Sequence, residues 1–206
     1  MNYYISDTHF GWTNKYEGRT LEHDQLIKDN WNRVVNNNDD VYILGDLGKE
    51  GGSKETERLI EIVSTLKGRK HLILGNHCKI KDARLKQLFV EICDYKEITD
   101  NYNGLNHKLI LSHYPILFWN GQHGGKSKNG SILLFGHLHD TDEHKIFKEC
   151  LNYINEYFKD KTLKGYTDCP PAVAHNVGCM LWDYAPVTLK QILSKDTLNM
   201  GEENEN

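Results

Sequence analysis

Hydrophobic residues fall in short, nearly unbroken runs: Tyr3-Tyr4-Ile5, Val41-Tyr42-Ile43-Leu44, His71-Leu72-Ile73-Leu74, Leu109-Ile110-Leu111, Ile132-Leu133-Leu134-Phe135 and Ala172-Val173-Ala174. Runs this short, rich in β-branched residues and stopped by Gly or Asp, read as strands buried on both faces. Helical spacing lies between them. Ile27, Trp31, Val34 and Val35 share one stripe, Leu59, Ile62, Val63 and Leu66 a second, and Leu85, Leu88, Phe89 and Ile92 a third. Alternation of the two patterns predicts an α/β protein.

From Thr141 to Lys164 the period changes. Ile146, Phe147, Cys150, Leu151, Ile154, Tyr157 and Phe158 recur every 3.6 residues between charged positions, which predicts a helical insertion over 141–164 capped near Asp142. Its aromatic residues Tyr153, Tyr157 and Phe158 read as part of the buried stripe. The end, from Ser194 through Gly-Glu-Glu-Asn-Glu-Asn, is polar and acidic, so residues 195–206 are expected to fray.

Each apolar run hands over to a polar cluster: Ser6-Asp7-Thr8-His9, Gly45-Asp46, Gly75-Asn76-His77, Ser112-His113 and Gly136-His137-Leu138-His139. In open α/β sheets ligands bind beyond the carboxyl ends of the strands, so these side chains are expected to meet in one crevice. Imidazole nitrogen, carboxylate oxygen and one amide oxygen, with no thiolate, suit borderline divalent metals. Seven such ligands exceed one ion but suit two sharing a carboxylate, for which Asp46, alone at its strand end, is the natural bridge.

The ordered motifs Asp7-x-His9, Gly45-Asp46, Gly75-Asn76-His77, His113 and Gly136-His137-x-His139 resemble those of the calcineurin-like metallophosphoesterases and span most of the chain. The stretches Ser112–Gly121 and Asn176–Val187 are also similar to a small bacterial and phage branch of that family. The resemblance implies an α/β/β/α sandwich of two mixed sheets flanked by helices, formed by residues 1–206 as a single domain. It further implies Asp7, His9, Asp46 and His139 around one metal, and Asp46, Asn76, His113 and His137 around the other. Manganese is the first expectation, and iron, zinc, nickel or cobalt are accepted by the same donors.

The implied reaction is in-line attack on a phosphodiester or phosphomonoester by the water bridging two cations, with His77 protonating the leaving oxygen. The chain departs from the family at Cys78, where a carboxylate often follows the histidine and orients it. Another group must then hold His77, or His77 contributes less. Asn76 can also touch substrate, as can Trp119 and Asn120, which follow His113 closely. His123, in the Gly-rich, basic loop Gln122–Gly130, is a further candidate, although a long hairpin connection explains that loop equally well.

Composition narrows the classes. With 25 Lys plus Arg against 29 Asp plus Glu, net charge −4, the chain has no global field for nucleic acid or anionic membranes. No apolar run approaches the roughly 18 residues of a membrane span, and strand-like sequence from Asn2 leaves no room for a leader, so a cytoplasmic setting is expected. An odd five cysteines, including Cys169 and Cys179, are expected to be free thiols. A protein phosphatase is a weaker reading, because Gly45-Asp46-Leu47-Gly48 lacks the Asp-Arg-Gly continuation that grips phosphate there. A non-catalytic scaffold on the same fold is weaker again, because every ligand is present.

Overall fold

The computed structural model describes residues 1–12, 20–124, 129–159 and 169–202. Among these described residues eight strands form two four-stranded sheets. The first holds β1 (Asn2–Ile5), β2 (Asp40–Leu44), β3 (Arg69–Ile73) and β4 (Glu91–Cys93) in that order, and all its ladders are parallel. The second holds β5 (Lys96–Tyr102), β6 (Leu105–Leu111), β7 (Ile132–Phe135) and β8 (Val173–Asn176), with β5 antiparallel to β6 and the others parallel. The helices are α1 (Leu21–Val34), α2 (Ser53–Thr65), α3 (Ala83–Lys86), α4 (Asp142–Phe158) and α5 (Leu189–Glu202).

Strand residues alternate between two faces, and that alternation builds the layers. Tyr3, Ile5, Val41, Ile43 and Leu72 point outward and pack with Ile27, Trp31, Leu59, Val63 and Leu85 of α1 to α3. Their neighbours Tyr4, Tyr42, Leu44 and Ile73 point inward and meet Leu109, Leu111, Ile132 and Leu134 of the second sheet. Ile110, Leu133 and Phe135 leave that sheet's far face and pack with Phe147 and Leu151 of α4. The protein is therefore an α/β fold of two stacked sheets flanked by helices. Strands buried on both faces need the near-continuous apolar runs seen in the sequence.

Several expectations need correction. The named ladders of the first sheet are parallel, because a crossover separates each pair of its strands, and β1 adds an antiparallel bridge from Tyr4 to Val187. The stripe through Leu85, Leu88, Phe89 and Ile92 forms only the single turn of α3; Ile92 lies in β4, where pairing with the open edge of β3 outweighs a helix too short to sustain itself. The β5–β6 hairpin was hidden because β5 is half-buried and polar. Its signal is Asn103-Gly104, both with positive φ (52° and 76°), the two-residue connection that right-twisted strands favour.

In α4, Phe147, Leu151 and Ile154 are buried, whereas Ile146, Tyr153 and Tyr157 are exposed, because the helix meets the sheet along one narrow stripe. Residues 160–164 of the expected insertion lie outside the described residues. α5 runs to Glu202 and is anchored through buried Leu189 and Ile192; residues 203–206 of the expected frayed tail lie outside the described residues. None of the five cysteines is joined in a disulfide among the described residues. No described helix is long and apolar enough to cross a membrane.

Candidate metal centre

The carboxyl ends of β1, β2, β3, β6 and β7 face the same crevice. Beyond the strands, the backbone stays laced: the Asp7 N–H donates to the Gly45 carbonyl, the His9 N–H to that of Asp46, and the Gly136 N–H to that of His113. Ser6 and Val177 join the two sheets here through Ser6 N–H to the Val177 carbonyl, while Val177 N–H reaches Phe135. Asp7, His9, Asp46, His137 and His139 all have left-handed backbone, φ between 43° and 71°. That region is sparsely populated by residues with a Cβ, and here it turns each side chain sharply off its strand into the crevice.

Three glycines make the approach possible. A Cβ on Gly45 would lie 2.2 Å from His113 Nδ1, one on Gly75 2.3 Å from Asp46 Oδ1, and one on Gly136 1.7 Å from Ser6 Oγ. The motif glycines are thus the spaces that the neighbouring ligands fill.

Asp7, His9, Asp46 and His113 are buried, while His137 and His139 are partly exposed and Asn76 and His77 lie at the mouth. Asp46 is central. Its Oδ1 accepts the His77 backbone N–H at 2.9 Å, and its Oδ2 faces His9 Nε2 at 3.7 Å and His113 Nε2 at 3.6 Å. His9 Nε2 and His139 Nε2 are 3.2 Å apart, and His139 Nε2 is 3.6 Å from Asp7 Oδ1. Asn76 Oδ1 meets His113 Nε2 at 2.9 Å and His137 Nδ1 at 3.1 Å. Burial acts to raise the Asp7 pKa, but hydrogen bonds with His139 and Ser6 outweigh it and hold the carboxyl below its ordinary value. Burial, reinforced by His113, lowers the pKa of His137.

Whether this donor set fits metal ions can be judged at His113. Its Nδ1 lies 2.9 Å from the Leu44 carbonyl, which can only accept, so the ring proton sits there. In the neutral ring Nε2 then carries a lone pair aimed at the oxygens of Asn76 and Asp46. Lone pairs converging this way repel unless a cation sits among them or the ring takes a second proton. A backbone carbonyl on the far ring nitrogen is also the usual support of a metal-bound histidine. Two sets of donor atoms lie within 4.8 Å of one another, Asp7–His9–His139 and Asp7–Asp46–His113. The residues fit divalent cations, with Asp7 reaching both sets rather than one.

No protein-family model matches the chain. It is 30% identical over 158 residues to the Gene 66 protein of Mycobacterium phage D29, a match covering 66% of this chain and 77% of the relative. The chain belongs to the family of that phage protein. The Gene 66 protein of Mycobacterium phage L5 is 29% identical over 162 residues, covering 66% of this chain and 76% of its own length. An uncharacterized protein of Methanocaldococcus jannaschii, MJ1445, is 36% identical over 120 residues, covering 55% and 58%. The crystal structure of AQ665, a protein of unknown function from Aquifex aeolicus, superposes with a TM-score of 0.62 at 28% identity, covering 91% of this chain and 94% of that one. These descriptions name no activity, so the chemistry rests on the geometry.

All seven expected ligands, together with His77, come together in this crevice. The three further substrate candidates do not line its pocket of about 320 Å³. Trp119 is buried against the α4 side of the second sheet, with its indole N–H on the Ser131 carbonyl. Asn120 donates to Glu97, and His123 packs on Phe158. These three side chains thus make their contacts elsewhere than among the lining residues of that pocket. Lys126 and Lys128 of that loop lie outside the described residues. Cys78 is buried beneath Leu47, whose N–H donates to its sulfur at 3.2 Å, and burial raises its thiol pKa.

Residues not singled out complete the pocket wall: Trp12, Leu138, Thr141 and Glu143. Trp12 follows His9 by three residues through a turn at Gly11. Thr141 and Glu143 ride on the start of α4, which begins directly after His139. Spacing of one to four residues from a candidate ligand is the signal the sequence offers.

Proposed function

We propose that the chain is a dinuclear-metal phosphoesterase of the calcineurin-like type, hydrolysing phosphodiesters in preference to phosphomonoesters. The observation that carries this reading is Asp46: one buried carboxylate faces histidines from both donor sets, the position a shared ligand needs. Asp7, His9 and His139 would hold one cation and Asn76, His113 and His137 the other, with Asp46 common to both. Two layered sheets with helices outside support the sandwich of that superfamily. When bound, the cations supply Lewis-acid neutralisation of the phosphoryl oxygens and lower the pKa of the attacking water.

The protein's own groups do the rest. The His77 backbone N–H bonded to Asp46 places the imidazole at the exposed mouth, where it can hand a proton to the departing oxygen. Leu138 and Trp12 narrow the water-accessible space. Preference for a diester follows from charge: Glu143 lines the rim, and among the described lining residues there is no Lys or Arg to hold a second phosphate charge. Gly45-Asp46 is followed by Leu47, buried on the helix side of the sheet, and by no Asp-Arg-Gly run of the kind that grips phosphate in a protein phosphatase, which disfavours that alternative.

Manganese-loaded protein is expected to hydrolyse bis-p-nitrophenyl phosphate at least as well as p-nitrophenyl phosphate. Loss even of an outer partner of a metal ligand costs about 10- to 100-fold, so Asp46→Asn should cost at least about 100-fold. No turnover of either ester with two bound metals verified would favour a scaffold. Turnover unchanged by Asp46→Asn would place the chemistry elsewhere.

A further inference from the structure

We propose that Trp12 is the positioning residue for the His77 imidazole, in place of the carboxylate that Cys78 does not provide. The inference rests on the phosphoesterase reading and adds the means by which its proton donor is aimed.

The side chain after His77 cannot orient it, because Cys78 is turned into the helix-side core and bonded to the Leu47 N–H. The backbone of His77 is fixed by Asp46, but its side chain lies at the exposed mouth. Among the described residues the closest ring to the imidazole is the indole of Trp12, at 4.8 Å between centroids and 68° between planes, against 5.8 Å to His9. An edge-to-face pair at this spacing favours one tilt of the imidazole over the others. Trp12 also packs on ligand His9, at 5.2 Å.

The indole is itself held from behind. Trp12 N–H donates to the His9 carbonyl across a turn in which Gly11 has φ +79°. The Gly11 N–H is held by both carboxylate oxygens of Asp24, at 3.2 and 3.0 Å, and Asp24 is bonded to Arg58 at 3.0 Å. The other tryptophans of the chain are bonded differently. Trp31, Trp119 and Trp182 each give their indole N–H to a backbone carbonyl, of Lys67, Ser131 and Asn176 respectively. Among the described residues Trp12 Nε1 is buried with no hydrogen-bond partner. A buried tryptophan kept for structure satisfies its N–H, so one left unsatisfied beside the proton donor calls for a role in the site.

The test separates leaving-group protonation from every other step by comparing bis-p-nitrophenyl phosphate, whose nitrophenolate departs readily, with diphenyl phosphate, whose phenolate depends on the proton. General-acid catalysis contributes about 10²- to 10⁴-fold, so Trp12→Ala should slow kcat on diphenyl phosphate by at least tenfold while changing the nitrophenyl ester little. Bound manganese should be unchanged and Trp12→Phe should restore most of the loss. His77→Ala should show the same pattern, and Trp12→Ala should add nothing in that background. In metal-free protein the His77 ring protons should carry a ring-current shift that disappears in Trp12→Ala; Asp24→Asn, acting through the turn, gives a second route if Trp12→Ala is unstable. Equal loss on both esters, additivity with His77→Ala, or ring protons unmoved by Trp12→Ala overturns the role of Trp12 while the phosphoesterase reading stands. Wild-type protein with two manganese ions bound that hydrolyses neither ester overturns the reading beneath it.

Discussion

At the scale of single residues the site is a collection of expensive backbone choices. A residue with a Cβ in the left-handed region costs about 1–2 kcal/mol, and five of the seven donors adopt it. They are held by close neighbours: Asp7 by the Ser6 hydroxyl at 2.6 Å and the His137 N–H at 3.1 Å, Asp46 by the His77 N–H. The glycines are the counterpart of this crowding. Gly45 combines φ +89° with a Cβ position 2.2 Å from the His113 ring. Gly45→Ala should therefore destabilise the fold by about 1–3 kcal/mol and displace His113. The measurement is the urea midpoint together with bound-metal stoichiometry, and wild-type values in both would show that the ring is not confined as described.

At the scale of elements, α4 serves the site through its first turn. Thr141 caps the helix in extended conformation and its hydroxyl donates to the Leu138 carbonyl at 2.7 Å, so helix and His137–His139 loop are one rigid corner. That corner sets Glu143 on the rim. A phosphomonoester brings about one more negative charge than a diester, and a carboxylate nearby opposes it by about 1 kcal/mol through a largely aqueous medium. Glu143→Gln is expected to raise kcat/KM on p-nitrophenyl phosphate roughly fivefold and leave the diester within about twofold. A change of equal size on both esters would remove Glu143 from the discrimination. The other elements differ in how openly the sequence announced them. β1, β2, β3 and β7, buried on both faces, were plain as apolar runs. β5, polar on one side and closed by Asn103-Gly104, was not.

At the scale of the molecule, the strand ends divide the labour. Donors gather at the carboxyl ends, and a charge network holds the opposite end of the first sheet, where His71 is bonded to Asp40 at 2.8 Å and Glu91 at 2.6 Å. Burial works against ionisation of Asp40, but hydrogen bonds from His71 and Arg69 outweigh it and lower its pKa. Glu91 is lowered chiefly by its hydrogen bond from Lys96, which outweighs burial with help from His71. Both folded-state values lie below the unfolded ones, so the folded protein binds fewer protons in acid. Their stabilisation is present above the ordinary carboxylate range and lost as pH falls through the depressed values. The stability advantage of wild type over His71→Gln should accordingly be steady between about pH 5 and 6 and shrink below about pH 4. Unfolding in urea at stepped pH measures it, and an advantage that grew on acidification would contradict the network.

The linear pattern determined which strands are buried, that helices alternate with them, and that the seven candidate ligands and His77 stand at strand ends. Those properties are local: a strand covered on both faces must be apolar throughout, and the chain must turn where it stops. Only the tertiary structure decided that Asp46 Oδ2 faces both His9 and His113, that Asp7 reaches both donor sets, and that Trp12 rather than Trp119 stands over the crevice. It also decided that Cys78 turns inward and that Glu143 reaches the rim. Such facts depend on how two sheets stack and where each turn sends the chain, distances that neighbours along the backbone do not encode.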